Sequence, residues 1–495
     1  MQSTLVQHAR PLRGRVDAAI PLARGDLAVL AALVAVAAAL RFPTLSDQSF
    51  WHDEAVTVGR VLRPSLGDTL SLTASSEATP PAYYVLAWLW TRVFGVSEFG
   101  IRSLSAVCGV ALVPTMYAAG RRLWPRAGTM LAALVAVSPF LVWYSQEARA
   151  YELAALLSGL SLLCLQRALE EPAGRRLAAW VAVASLALAT HYFTAFLVVP
   201  EAVWLLAATR GLRAPKLAAI ATGAAGAALV PLAIHQSHLH HDTWIARIPP
   251  GTRIVNTAKA FVAGPSGAPS ALLWVVGGAA LAAGLLLLVT RADEGERRRV
   301  AAPAALGGAA LLVPALLMAV GIDFFYPRNL IPALVVLLLV PAAGFAAARA
   351  NRAGLLAAFV LCVVNVAAVV AVSSDVKLQR ADWRRAAAAI GSTATDRAVI
   401  VPFIGDDPIA YYLPRTRRAT GPATVSEVDV LSFAQAGRAR RRAPVPGFRE
   451  FDRRRFGQFT LTRFRGPPHT VRRADLRRAS LGTGHVALLV QGAGR

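Results

Sequence analysis

Apolar runs close to the length that crosses a bilayer recur along most of the chain, from Asp26 to Ser373. A helix needs about 20 consecutive apolar residues to cross a hydrocarbon core, where every backbone N–H and C=O must be satisfied within the segment. Such runs fall near Asp26–Phe42, Ile101–Gly120, Arg126–Tyr144, Ala150–Gln166, Leu177–His191, Phe193–Ala208, Leu217–Ile234, Ala271–Thr290, Val300–Gly321, Asn329–Ala348 and Ala353–Ser373. They predict an all-α polytopic membrane domain over residues 26–373, with about eleven spans. Composition agrees, since 56% of the 495 residues are hydrophobic and only 16% are charged, too apolar for an ordinary soluble protein. The odd number of spans places the termini on opposite sides.

Charge in the short loops then chooses the sides, because cytoplasmic loops carry an excess of Lys and Arg. Gly120–Arg126, the stretch through Arg175 and Arg176, Arg210–Lys216, Arg291–Arg299 and Arg349–Arg352 are Arg-rich and alternate with poorer loops. They go to the cytoplasm with the basic residues 1–25, which read as a retained anchor rather than a cleaved leader. The outer set is Trp51–Thr79, Ser145–Arg149, His235–Gly267, Gly321–Arg328 and everything after Ser373. A loop set chosen by Arg count alone has thus collected the acids and histidines. Pro81–Gly95 is apolar but short and holds Arg92. It reads as a helix lying at the outer face, with its aromatics at the interface; a short tilted span is the alternative.

The net charge of +24 raises nucleic acid as a partner, but the arginines sit in loops and tail. No zinc finger, RNA-recognition signature or aromatic-interleaved basic run accompanies them. Lys216, Lys259 and Lys377 are the only lysines. With abundant Ala, Arg and Gly, this points to a GC-rich bacterial genome and a bacterial plasma membrane. Cys108, Cys164 and Cys362 lie inside apolar runs without metal or redox spacing and read as small buried side chains.

After Ser373 the pattern changes. Asp382–Ile390 reads as an amphipathic helix, Ala398–Phe403 as a strand, Asp407–Leu413 as a helix and His485–Gln491 as a closing strand. The Arg-rich stretch Ala419–Thr470 between them reads as hairpins or loops. Residues 374–495 therefore predict a small extracytoplasmic α/β domain of roughly 100 residues, enough for a modest core.

The first outer loop, residues 43–100, contains Trp51-His52-Asp53-Glu54. Two adjacent carboxylates so close to a bilayer are costly and mark a functional site by default; a solvated loop is the other reading. Three further outer groups accompany them. They are Glu77 with Thr79, Tyr83 and Tyr84; Trp143 to Tyr151 with Gln146, Glu147 and Arg149; and Phe325-Tyr326-Pro327-Arg328-Asn329. Each alone is ordinary at a helix end, where arginines snorkel and aromatics line the interface.

In order, WHDEA, TPPAYYVLAWLWTRVFG, SEFGIRSLSAVCGVALVPTMYAAGRRL and SPFLVWYSQEARAYEL resemble the membrane glycosyltransferases of the GT-C fold. The branch resembled is glycosyltransferase family 39, with its protein O-mannosyltransferases and the related aminoarabinose transferases of lipid A. The resemblance runs from about Leu30 to Phe196 and is weaker at YPRNLIPAL and at DWRRAAAAI and YYLP. It implies a donor sugar on a polyprenyl phosphate, an active site at the outer face and an Asp-Glu motif that maps onto Asp53 and Glu54. The expected activity is sugar transfer to an extracytoplasmic protein, lipid or envelope glycan, by inverting single displacement. Asp53 is then the base that takes the acceptor proton, and Glu54 positions the acceptor or a cation. A lipid phosphate leaving group needs fixed cationic donors, and the planar fork of Arg suits phosphate. Arg149 and Arg328 are the candidates, with Arg102 a third. His52, Glu77, Tyr83, Tyr84, Gln146, Glu147 and Tyr326 are expected to line the pocket. Many relatives have His before the Pro-Pro pair where this chain has Thr79, which puts a shared metal site in doubt.

This reading names no definite cofactor, and a divalent metal cation is a candidate. His235, His238 and His241 in one outer loop have spacing that permits a metal; an interfacial polar loop is the plainer account. A multispan transporter or flippase-like envelope protein is the functional alternative. Transporters place ionisable groups near the bilayer midplane, often within internal repeats. Here the acids fall at outer helix ends and no repeat is visible. A polymer ligase and an inactive assembly protein are further rivals.

Overall fold

The computed structural model describes residues 23–239, 243–265, 271–419, 421–434, 443–472 and 486–492. The chain divides into two compact units, one of Met1–Leu45 with Pro64–Ser374, the other of Ser46–Arg63 with Asp375–Arg495. The segment Ser46–Arg63, expected within the first outer loop of the membrane domain, thus belongs to the same unit as the tail.

The first unit is helical. Among the described residues seven helices are long and apolar enough to cross a membrane: Glu98–Arg121, Tyr151–Glu170, Arg213–Ser237, Ala271–Arg291, Glu294–Ala319, Pro327–Ala346 and Asn351–Ser374. The pair Pro125–Val137 and Pro139–Ser145, bent by 55°, makes eight if it is one broken span. The bend has a local cause. Ser138 caps the second helix by accepting from Leu141 N–H, and Pro139 occupies its first turn, where its missing N–H costs nothing. The other three expected spans correspond to helices that are shorter or more charged. Arg24–Arg41 has 18 residues but includes Arg24, Asp26 and Arg41, Gly174–Thr190 has 17 residues, and Tyr192–Ala208 is a shorter apolar helix. The helix Ala82–Phe94 has 13 residues and ends at Gly95, whose φ of +74° suits glycine. At 1.5 Å per residue it reaches only about 20 Å, short of a bilayer core.

Small residues let these helices approach closely, as is usual where packing cannot draw on the hydrophobic effect. A Cβ on Gly344 would collide with the Gly284 carbonyl, and one on Gly284 would sit 2.9 Å from Pro341 and from Phe345. Arg41 is wholly buried at the end of the first helix. Its guanidinium donates to Ser145 Oγ at 2.9 Å and to the Ala136 carbonyl at 2.8 Å, so the charge is held by the carbonyls exposed near the break at Ser138.

The second unit is a mixed six-stranded sheet with the order β2-β6-β1-β3-β5-β4. The strands are β1 (Arg397–Pro402), β2 (Thr416–Arg418), β3 (Ala423–Phe433), β4 (Arg449–Phe456), β5 (Phe459–Val471) and β6 (Val486–Gln491). β1 runs parallel to β3 and antiparallel to β6. Its run Ala398-Val399-Ile400-Val401 is buried throughout, as a central strand covered on both faces must be. Val399 and Val401 pack with Trp383, Ile390, Ile409, Phe459 and Leu461, and Ala398 and Ile400 pack with Val428, Phe448 and Phe464. The helix Trp383–Ile390 starts at Asp382, which accepts from Arg385 N–H, and stops at Gly391 with φ +70°. The Arg-rich stretch yields β3 and the hairpin β4–β5, and among its described residues the edge strand β4 carries Arg449, Arg453, Arg454 and Arg455. Charge on an edge discourages pairing with another chain.

Candidate functional site

The sequence candidates divide between the two units. In the first unit Glu77 and Arg149 form a buried bidentate pair, with Arg149 Nη1 2.9 Å from Glu77 Oε1 and Nη2 2.8 Å from Oε2. Glu77 ends the helix Leu66–Ser76, and Arg149 lies just before the helix Tyr151–Glu170. The pair therefore staples two helix ends. Thr79 Oγ1 lies 3.2 Å from Tyr84 OH, and the rings of Tyr83 and Tyr84 meet edge-on at 5.4 Å. Thr79 is thus hydrogen-bonded to a tyrosine.

Arg328 is held differently. Its guanidinium lies 5.3 Å from the Trp244 ring centre, 5.7 Å from that of Tyr151 and 5.8 Å from that of Tyr326. Each face attracts the cation through the ring quadrupole, so the three rings help to fix the plane of the guanidinium. The cage extends through Tyr144 and His191, whose rings lie 5.1 and 5.6 Å from Tyr151. Two residues not singled out in the sequence deliver the loop. Arg253 pairs with Asp323, Nη2 to Oδ2 at 2.6 Å, and also donates to the Phe325 carbonyl. Trp244 was hidden as well, because nothing in its local pattern ties it to Arg328, 84 positions on.

The remaining candidates of this unit have structural partners. Arg102 is buried and donates from Nη1 to the Leu45 carbonyl at 2.8 Å. Gln146 gives its amide to the Leu40 and Arg41 carbonyls and to Thr44 Oγ1 at 2.6 Å, closing the end of the first helix. Glu147 is buried, and its carbonyl accepts from Ser105 at 2.7 Å. His235 and His238 are exposed and His241 lies outside the described residues.

Asp53 and Glu54 belong to the second unit. They sit not in an irregular loop but in the first turn of a short helix, His52–Val56, which continues as a wider π turn through Val61. Such turns are frequent at functional sites. Glu54 is buried and accepts from Trp51 N–H at 3.2 Å. Asp53 is half-buried, and its carbonyl accepts from Thr57 Oγ1 at 3.1 Å. Both acids fall at the positive end of the helix, where carboxylates are favoured.

His52 points into an acidic cluster that sequence reading missed. Its Nδ1 lies 3.6 Å from Asp406 and 3.9 Å from Asp407, and the three could hold a metal ion by their spacing. Two guanidiniums already neutralise the two carboxylates. Arg60 binds Asp407 through Nε at 2.6 Å and Nη2 at 2.8 Å. Arg418 binds Asp406, and Asp407 at 2.8 Å. A divalent cation would have to displace an arginine, so the donor set fits an ion-pair network better than a metal centre. Burial and the neighbouring Asp407 push Asp406 up to about 7. Burial raises Asp407 as well, against the pull of Arg60 and His52. The sequence signal was present, an Asp-Asp pair three residues after the apolar strand β1, but its partners are remote in sequence.

The described chain thus combines a helical unit with several membrane-crossing helices and a small sheet unit that holds the acid pair. Residues 78–235, about a third of the chain, match the family described as dolichyl-phosphate-mannose-protein mannosyltransferase. The fold is similar to that of ArnT from Cupriavidus metallidurans. The apo structure superposes with a TM-score of 0.56 at 13% identity, covering 89% of this chain and 98% of that one. The form bound to undecaprenyl phosphate gives 0.51 at 12% identity, with the same 89% and 98% covered. The Archaeoglobus fulgidus oligosaccharyltransferase gives a TM-score of 0.41 at 14% identity over 72% of this chain, which spans only 54% of that longer protein. No curated protein sequence matches the chain.

Proposed function

We propose that this protein transfers a sugar from a polyprenyl-phosphate donor to a hydroxyl of an extracytoplasmic acceptor. The acceptor oxygen attacks the anomeric carbon as the bond from that carbon to the phosphate oxygen breaks. The acceptor proton passes to the Asp53 carboxylate, and the polyprenyl phosphate leaves with the bonding pair, inverting the centre. Glu54, tied to the Trp51 amide, fixes the turn that carries Asp53.

The observation that carries the reading is the arginine cage. Arg328 is the cation that three aromatic faces fix in orientation, as a donor phosphate needs. Arg149 is bound by Glu77 and serves first to fix helix ends. The name of the matched family makes mannose the first sugar to test, and the ArnT structure makes undecaprenyl phosphate the first carrier.

The test is release of polyprenyl phosphate by the purified full chain supplied with polyprenyl-phosphate mannose and candidate acceptors. General-base catalysis contributes about 10²- to 10⁴-fold, so Asp53→Asn should lose turnover on that scale while still binding donor. Glu54→Gln should be milder. An Asp53→Asn protein that folds and turns over at the wild-type rate removes Asp53 from the mechanism.

A further inference from the structure

We infer that the sheet unit is the holder of the Asp53–Glu54 segment, and that Asp407, acting through Arg60 and His52, is a positioning residue for Asp53. The inference rests on Asp53 being the base. It concerns contacts that lie wholly within the second unit.

Ser46–Arg63 could have been a free loop, and it is not. At its start Arg384 Nη2 donates to the Ser46 and Asp47 carbonyls at 3.0 and 3.1 Å. Gln48 accepts from Arg380 N–H at 3.0 Å. Ser49 accepts from Trp383 N–H at 2.9 Å and donates to the Ala381 carbonyl at 3.2 Å. Phe50 donates its N–H to Tyr412 OH at 2.7 Å, and its ring meets Tyr411 edge-on at 5.3 Å. These contacts fasten the chain just before the short helix. Just after it, Arg60 is fastened by the bidentate bond to Asp407, and within the helix His52 faces the same carboxylate. Asp53 and Glu54 lie between the two fastenings.

The fastenings share one rigid support. Asp406 and Asp407 open the helix Asp406–Tyr412, which follows the fully buried central strand β1 after a single 3₁₀ turn. Trp383 and Tyr412 pack in the same core as β1. A catalytic group gains precision when its support is locked by packing and hydrogen bonds. A displacement of about 1 Å can cost on the order of 100-fold in rate. Asp407 is well placed for this, because one carboxylate joins Arg60, which closes the segment, with His52, which adjoins Asp53.

The experiment uses the full chain and the variants Asp407→Asn, Asp407→Glu, Arg60→Gln and the control Asp452→Asn, an acid of the edge strand paired with Arg454. Turnover and donor KM are measured in the wild-type and Asp53→Asn backgrounds, and amide exchange is followed over Ser46–Arg63. Asp407→Asn and Arg60→Gln should lower kcat by about 10- to 100-fold, leave donor KM within a factor of about two and speed exchange in that segment. Asp407→Glu should recover part of the loss, and Asp452→Asn should match wild type. In the Asp53→Asn background Asp407→Asn should add little, because the group it positions is gone. Equal losses in both backgrounds, or unchanged exchange in Asp407→Asn and Arg60→Gln, overturn the inference. A silent Asp53→Asn overturns the catalytic reading instead, and exchange still decides whether the holder exists. If Asp407→Asn does not fold, Arg60→Gln, on the half-exposed partner, gives the same readouts.

Discussion

Replacing Glu77 by Gln keeps the shape of the side chain and removes the charge that balances Arg149. The two hydrogen bonds are short, 2.9 and 2.8 Å, and the side chains are only 4% and 9% exposed. Leaving one member of such a pair buried without its partner typically costs about 3–5 kcal/mol, a factor of roughly 10² to 10⁴ in the unfolding equilibrium. An exposed pair would cost only about 0–1 kcal/mol. Denaturant unfolding of the detergent-solubilised protein, followed for Glu77→Gln, Arg149→Met and the double variant, measures the difference. The double variant should regain most of the loss, because removing both charges also removes the desolvation cost. A Glu77→Gln protein within about 1 kcal/mol of wild type refutes the reasoning. The same double variant separates the two roles open to Arg149. A stable and active protein leaves Arg149 as a staple, and a stable but inactive one assigns it to the donor phosphate as well.

Arg328→Lys should lose donor use nearly as far as Arg328→Ala, since a point charge cannot replace a planar fork against phosphate; Arg352→Ala should be silent in the same donor titration, and equal effects at both positions would end the clamp. Burial raises Asp429, despite the nearby Arg397 and Arg463, to about 7, and Asp406 is raised similarly. These groups hold protons in the folded unit that the unfolded chain gives up near 3.8, so stability should fall as pH rises from about 4 to about 7. Amide exchange in β1, corrected for its intrinsic pH dependence, reads this, and Asp429→Asn should flatten part of the slope; a rise in protection across that window contradicts it. Reporter fusions after Arg122 and after Gln491 should fall on opposite sides of the membrane, as the distribution of arginines requires.

Hydropathy and charge are local quantities, and what depends on them was legible in the sequence. A run such as Ala353–Ser373 must be helical in an apolar medium whatever its neighbours do, and the helix occupies Asn351–Ser374. The tail was similarly readable. A strand expected over Ala398–Phe403 is β1 at Arg397–Pro402, and a helix expected from Asp382 is capped by that residue. The Asp53–Glu54 pair stood out because carboxylates have no packing use there. The break at Ser138 was not legible, because it depends on how the two helices Pro125–Val137 and Pro139–Ser145 are bent against each other by 55°.

The partners of the charged groups were not legible, because a guanidinium is satisfied by whichever carboxylate, carbonyl or aromatic face the fold brings within reach. Arg149 and Arg328 look alike in sequence, an arginine beside aromatic residues at a helix end. Tertiary structure gave one a carboxylate 72 residues away and the other three rings from separate segments. It likewise placed Arg60 on Asp407, 347 residues distant, and so attached the acid pair to the sheet unit. Sequence determined which segments are apolar, which loops are basic and where the acids lie. Only the folded chain decided which charge meets which, because that depends on distance in space, and burial makes each such meeting costly to leave incomplete.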